Sequence, residues 1–303
     1  MLSKVVVCEL QVVFSTILFG LSFIGMRKAT DDIASPITYN AWRFIVSAVV
    51  IAIPRSRMQA AIHTDIADDS PEDIPVLIKA KSYLPSLSQK HFDLLVWGGL
   101  SGISNFLVST FQQYGIVTVS AGKAAFINGL FVVAIPLLEY FLPCYTSSIG
   151  LSTWFAVFLS GVGTYLLSDP QSSDGFGIGE VLLLLGMLSC CMGILVSDAG
   201  TQRVDCIDLT IIELAVTAVL STIISIYQEP HMWEWPLLAI QVGWPMIVCV
   251  GCTEGFGYLF GTLGQMHIPP HRASMLFGLE GVVTTLMAYF MLGARLMCGD
   301  TLI

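Results

Sequence analysis

Charge is scarce in this chain. Of its 303 residues, 12% are Asp, Glu, Lys or Arg, where a soluble globular protein has roughly 25%. That excludes an ordinary water-facing surface. The 13 basic residues are outnumbered by 22 acidic ones, for a net charge of −9. Nucleic acid is therefore not an expected partner, since Lys and Arg must neutralise its phosphates. Histidine is sparse as well, and all five residues (His63, His91, His231, His267, His271) fall in loops or at the ends of apolar runs. His267 and His271 are four apart, but Pro269-Pro270 between them breaks the helix that such a pair of ligands would share. No clustered catalytic set and no Walker motif is present. An enzyme is not expected, nor a catalytic residue, a bound metal or a cofactor. The eight cysteines do not form a secreted disulfide framework. Cys8, Cys190, Cys191, Cys249 and Cys252 sit within apolar runs, where a thiol acts as a small apolar residue. Cys249-x-x-Cys252 is a lone pair in such a run and reads as packing. A cleavable leader is not expected either, because the first apolar run starts almost at Met1 and is longer than a leader's apolar core.

What the chain has instead is apolar length. Hydrophobic residues make up 55% and the mean hydropathy is +0.78. Runs of about 20 residues, each able to cross a hydrocarbon core of roughly 30 Å, are expected at 5–26, 37–53, 94–117, 121–142, 149–167, 177–196, 210–226, 237–265 and 273–292. They are rich in Leu, Ile and Val with scattered Gly, which suits closely packed helices in lipid. The short alternating segments of a barrel are not seen. The fold class is thus an all-α polytopic membrane protein. The long polar loop, 54–92, mixes charges, Ser and Pro and reads as a flexible linker. With the N-terminus inside, Lys4, Arg55, Arg57, Lys79, Lys81, Lys90, Arg203 and Arg272 lie on the inner side and Arg27, Lys28, Lys123 and Arg295 on the outer. That imbalance favours a cytoplasmic N-terminus. Which membrane is involved is not legible.

The chain also repeats itself. "GKAAFINGLFVVAIPLLEYF" (122–141) aligns with "HRASMLFGLEGVVTTLMAYF" (271–290) at an offset of 149. Lys123 falls on Arg272, Gly129-Leu130 on Gly278-Leu279, Tyr140-Phe141 on Tyr289-Phe290. Upstream, Gly102 meets Gly251, Asn105 meets Glu254, and Gly115 meets Gly264. Nearer the start the offset is 171, pairing "CEL" (8–10) with "GEV" (179–181). Two related halves are read, 1–168 and 175–303. An odd number of spans per half inserts the second half upside down relative to the first, an arrangement typical of secondary transporters.

Four stretches now carry a family likeness: "GLSFIGMRKATDDIASPITYNAWRFIVSA" (20–48), "SAGKAAFINGLFVVAIPLLEYF" (120–141), "GEVLLLLGMLSCCMGILVSDAGTQR" (179–203) and "GQMHIPPHRASMLFGLEGVVTTLMAYFMLGARL" (264–296). In this order the chain resembles the EamA-like branch of the drug/metabolite transporter superfamily, over nearly all its length outside the long loop. The resemblance implies a ten-helix carrier with a central cavity lined by helices one to four and six to nine. Only nine spans are read, so the tenth is missing or the sequence is truncated after "LMCGDTLI".

Charged residues at bilayer depth cost about 2.5–3.5 kcal/mol each on insertion scales and should face a wet interior. Ser101, Asn105, Ser109 and Gln112 share one helix face. Glu254, Tyr258, Gly261 and Gln265 share another. Facing each other, the two stripes would line a cavity; alternatively they glue helices together. Glu254, near mid-span with no cation near it in sequence, is the first candidate for binding a cation or proton. Glu213 and Glu280 are further candidates, Asn128 is placed toward the cavity, Arg43 is a candidate for an anionic group or a buried pair, and Trp42 is a candidate wall. Glu9 and Glu180 read as helix-start carboxylates, and Glu139 as reaching headgroups. The expected function is secondary transport of a small organic molecule by alternating access, with substrate and lipid bilayer as partners and room for a homodimer. The competing readings are a non-transporting receptor or scaffold, and a membrane enzyme.

Overall fold

A computed structural model describes residues 4–32, 36–59, 87–119, 121–142, 150–167, 177–230 and 244–292. Most of the long loop, the side chain of Lys123 and the stretch 293–303, which follows the ninth expected span, lie outside the described residues. Among the described residues the chain is helices and the turns joining them. They are α1 (Lys4–Asp32), α2 (Pro36–Ala52), α3 (Leu87–Thr118), α4 (Ala121–Gly129), α5 (Phe131–Phe141), α6 (Leu151–Leu167), α7 (Ile178–Thr201), α8 (Cys206–Gln228), α9 (Trp244–Gly264), α10 (Pro270–Phe277) and α11 (Glu280–Leu292). The segments Lys4–Ser22, Gln89–Gly115, Ile178–Thr201, Cys206–Gln228 and Ile247–Gly264 are each long and apolar enough to cross a membrane; Ile37–Ala52 is a shorter apolar helix, and Phe126–Phe141 is an apolar stretch that runs through the turn at Leu130.

The distribution of side chains is inverted relative to a water-soluble protein. Phe14, Phe155, Phe158, Leu159, Val219 and Ile223 point outward, while Ser15, Asn40, Arg43, Ser47, Ser101, Asn105, Glu213 and Glu254 are buried. Apolar rows facing lipid and polar groups facing the bundle interior are what a bilayer selects for. The chain is a polytopic helical membrane protein.

Small residues set the helix contacts. α3 lies along α7 and α8, α9 lies along α1 and α2, and α2 also packs on α8. A Cβ on Gly115 of α3 would sit 2.6 Å from Leu183 Cγ of α7. One on Gly264 of α9 would sit 2.3 Å from Val12 Cγ2 of α1. A Cβ on Gly102 would meet the Glu213 carbonyl and Val216, and one on Gly251 would meet Val46 and the Arg43 carbonyl. Such close approach needs residues without side chains.

Two expected spans, 121–142 and 273–292, are not continuous helices. The first turns at Leu130, whose amide lies 3.2 Å from Phe126 O and 3.3 Å from Ile127 O; the second turns at Gly278 and Leu279, with the Leu279 amide 3.2 Å from Leu276 O. The switch toward i−3 bonding marks a locally tightened turn. Each break carries a glycine, and the breaks touch: a Cβ on Gly278 would lie 2.7 Å from Val132 Cγ2. Pro136 within α5 removes a further amide from that helix. The eighth expected span, 237–265, has its described helix beginning at Trp244.

Glu139 does not reach headgroups. It is 2% exposed, and its carboxylate accepts the backbone N–H of His271 at 2.6 Å and lies 2.7 Å from His271 Nδ1. It therefore anchors the first turn of α10, where free N–H groups attract an anion. Glu180 plays a similar local part, accepting the Gly177 N–H at 2.8 Å at the start of α7. Glu9 instead stands 3.8 Å from Arg272 Nη1.

Candidate functional site

Polar side chains from α1, α2, α3, α8 and α9 meet inside the bundle. α2 places Tyr39 and Arg43 one turn apart, so both face the same neighbours. α9 does the same with Glu254 and Tyr258. Arg43 Nη1 donates to Glu254 Oε1 at 2.7 Å, and the Ser22 hydroxyl donates to the same oxygen at 2.9 Å. The guanidinium carbon lies 4.7 Å from the Phe44 ring centroid and 6.0 Å from that of Tyr39, a placement in which a ring face attracts a cation. The Tyr258 hydroxyl donates to Asn105 Oδ1 at 2.6 Å. Glu213 from α8 bonds to the Ser101 hydroxyl, which is also 2.8 Å from Ser197 Oγ. Arg43, Glu213 and Glu254 all act electrostatically on Tyr258, so these groups form one cluster. Phe19 packs edge-on against Tyr258 with centroids 5.1 Å apart.

Several atoms of this interior have no hydrogen-bond partner among the described residues: Tyr39 Oη, Asn105 Nδ2, Asn128 Oδ1, Glu213 Oε2, Glu254 Oε2 and Gln265 Oε1. An unmet buried polar group costs about 1–3 kcal/mol. Of these, Tyr39, Asn105, Glu213 and Glu254 belong to the cluster around Arg43 and Tyr258.

The sequence candidates fall as follows. Arg43, Asn105, Glu213, Glu254 and Tyr258 come together. Glu280 occupies the first turn of α11, just past the Gly278–Leu279 break, and interacts electrostatically with Glu254. Gln265 follows α9 and is buried. Asn128 is half-buried near the end of α4, and Trp42 is half-buried beside Arg43. Gln112 lies on the α3–α7 seam, its Cγ 3.5 Å from where a Gly186 Cβ would be. Its neighbour Gln113 is the buried one, and its Nε2 is 3.5 Å from Asn40 Oδ1. Sequence reasoning missed Gln113, Tyr39 and Ser22. An unbroken spacing of four along Ser101, Asn105 and Ser109 leads to Gln113, and the same spacing back from Arg43 leads to Tyr39. No sequence signal marks Ser22.

A multi-pass helical bundle with a polar, partly unmet interior is the build of a membrane transporter. The chain belongs to the EamA-like transporter family, whose sequence pattern matches it twice, over residues 7–169 and 177–302. A segment of 83 residues is 35% identical to an uncharacterized transporter of Archaeoglobus fulgidus; it makes up 27% of this chain and spans only 25% of that relative. A solved crystal structure of a protein superposes with a TM-score of 0.68 over 96% of this chain and 91% of its own, at 17% identity. That likeness concerns the fold.

Proposed function

We propose that the chain is a secondary carrier that moves a small organic molecule across a membrane by alternating access. In this reading the N-terminus is cytoplasmic. The halves 1–168 and 175–303 insert in opposite senses and rock about the cluster of Arg43, Asn105, Glu213, Glu254 and Tyr258. The candidates Trp42, Gln112, Asn128, Gln265 and Glu280 line the route or its ends. The observation that carries the reading is the set of unmet buried atoms, above all Glu213 Oε2 and Glu254 Oε2, held between helices of both halves. A substrate that replaces these missing partners gains binding energy at mid-depth, where alternating access requires a site.

The test is uptake and counterflow in proteoliposomes with labelled amino acids, nucleobases and organic cations, with and without a pH gradient. Saturable flux that Glu254→Gln abolishes supports the carrier. A folded protein that binds a compound of the panel but moves none of them is a receptor or scaffold instead.

A further inference from the structure

The unmet atoms are not an even mixture of donors and acceptors. At the cluster itself, Glu213 Oε2 and Glu254 Oε2 are carboxylate oxygens, Asn105 Nδ2 donates, and the Tyr39 hydroxyl can do either. An ionised carboxylate, unlike an amide, has no donor to present whichever way it is turned, so in that state the two glutamate oxygens fix what the cluster lacks. The charge count points the same way. Arg43 is committed to Glu254. Glu213 is 5% exposed, and among the described residues the partner acting on it is the neutral Ser101 hydroxyl. Among the described residues the cluster therefore holds Glu213 and Glu254 against one guanidinium, with Glu280 acting on Glu254 as a further carboxyl. An incoming anion would meet two carboxylates and an arginine already engaged. An incoming cation would meet one uncompensated carboxylate and a second with a free oxygen.

We infer that the site takes an organic cation that presents several N–H donors, such as an amine, amidine or guanidine, held between Glu213 and Glu254. The inference rests on the proposal that this cluster is the carrier's substrate site and names the class of its substrate. A quaternary ammonium supplies charge without donors, and a neutral amide supplies donors without charge. Each meets half of what the cluster lacks, and a charge-assisted N–H to a carboxylate meets both.

The full-length protein in nanodiscs is titrated with agmatine, spermidine and benzamidine, and in parallel with tetraethylammonium, benzoate and sodium chloride. Tryptophan fluorescence is read, because Trp42 adjoins Arg43, and so is thermal stabilisation. At least one of the three N–H cations binds at least tenfold more tightly than tetraethylammonium, benzoate does not bind, and Glu213→Gln weakens the N–H cation at least tenfold. Equal binding of tetraethylammonium overturns the donor argument. Preference for benzoate, saturation by sodium alone, undiminished binding in Glu213→Gln, or no binding by any of the three overturns the inference as a whole. The ranking on unmodified protein stands even if the variant does not fold. Counterflow of the bound cation in proteoliposomes is measured separately. Binding without counterflow keeps the inference and removes the carrier. Flux of an anion without cation binding keeps the carrier and removes the inference.

Discussion

Arg43 and Glu213 occupy matching places in α2 and α8. The carbonyl of each lies 2.8 Å from the hydroxyl one turn on, Ser47 in α2 and Thr217 in α8. Each hydroxyl also reaches a glycine carbonyl across a helix seam, Ser47 to Gly251 at 2.8 Å and Thr217 to Gly102 at 3.0 Å. Gly102 and Gly251 are the pair that align at the 149 offset. One helix thus presents a cation and the other an anion from the same framework. Arg43 finds a carboxylate in Glu254, whereas among the described residues the partner of Glu213 is the Ser101 hydroxyl.

Removing one member of the Arg43–Glu254 pair should cost more than removing both. Arg43→Met leaves Glu254 as a buried carboxylate that must stay uncompensated or take up a proton, a loss of about 3–5 kcal/mol for a buried pair. Arg43→Met combined with Glu254→Met replaces the pair with apolar volume and should recover most of that stability. Thermal unfolding followed by size-exclusion chromatography of the two single variants and the double measures it. If the two single losses simply add, the 2.7 Å contact is not coupling them.

Close packing at Gly264 is also testable. A Cβ there would lie 2.3 Å from Val12 Cγ2 and 2.9 Å from the Cys8 carbonyl. Gly264→Ala should destabilise by about 1–3 kcal/mol through overpacking. Gly99 in α3 has nothing within 4 Å of its would-be Cβ, so Gly99→Ala should leave the melting temperature unchanged or raise it, alanine being the better helix former. Equal effects at both positions would mean that α1 and α9 are not in this close contact.

The features most legible in the sequence were those written locally. Apolar length gave the helices, and spacing put Asn105 on one face of α3 and Glu254 with Tyr258 on one face of α9. The partner of Glu254 was not legible, because Arg43 is 211 positions away and the approach depends on how α2 crosses α9. The burial of Glu139 was not legible for the same reason. Its place at the end of an apolar run suggests the headgroups, but the partner that buries it, His271, belongs to a helix 132 positions on. The breaks at Leu130 and at Gly278–Leu279 were hidden because hydropathy measures apolar length and is blind to hydrogen-bond register. A lone Gly in such a run is common in close-packed membrane helices.

The Glu139–His271 contact should behave as an anchor for α10. Glu139→Ala strands both the backbone N–H of His271 and its ring nitrogen, and should lower stability by about 1–3 kcal/mol. His271→Ala keeps the backbone N–H and its bond, and should cost less. Melting temperatures of the two variants decide the order. A larger loss from His271→Ala would show that the ring, rather than the helix start, is what the carboxylate holds.

The seam between α2 and α8 is tied at both ends, and under alternating access at least one tie has to part. At one end Arg55 Nε is 2.6 Å from Asp208 Oδ1 and Gln59 Nε2 is 3.2 Å from the same oxygen. At the other, the Thr38 hydroxyl is 2.6 Å from Glu229 Oε2 and 2.6 Å from Ser225 Oγ. Arg55 is half-exposed, with 52% of its side chain open, and an exposed ion pair contributes only about 0–1 kcal/mol. Thr38 and Ser225 are buried, so Thr38→Val should be the more destabilising of the two lesions, while Arg55→Ala should leave the melting temperature nearly unchanged and alter flux. The direct test joins Gln59→Cys to Asp208→Cys with a short bifunctional thiol reagent. Flux in proteoliposomes should stop on cross-linking and return on reduction. If flux continues with the cross-link in place, α2 and α8 travel as one unit and the moving seam is the one between α3 and α7.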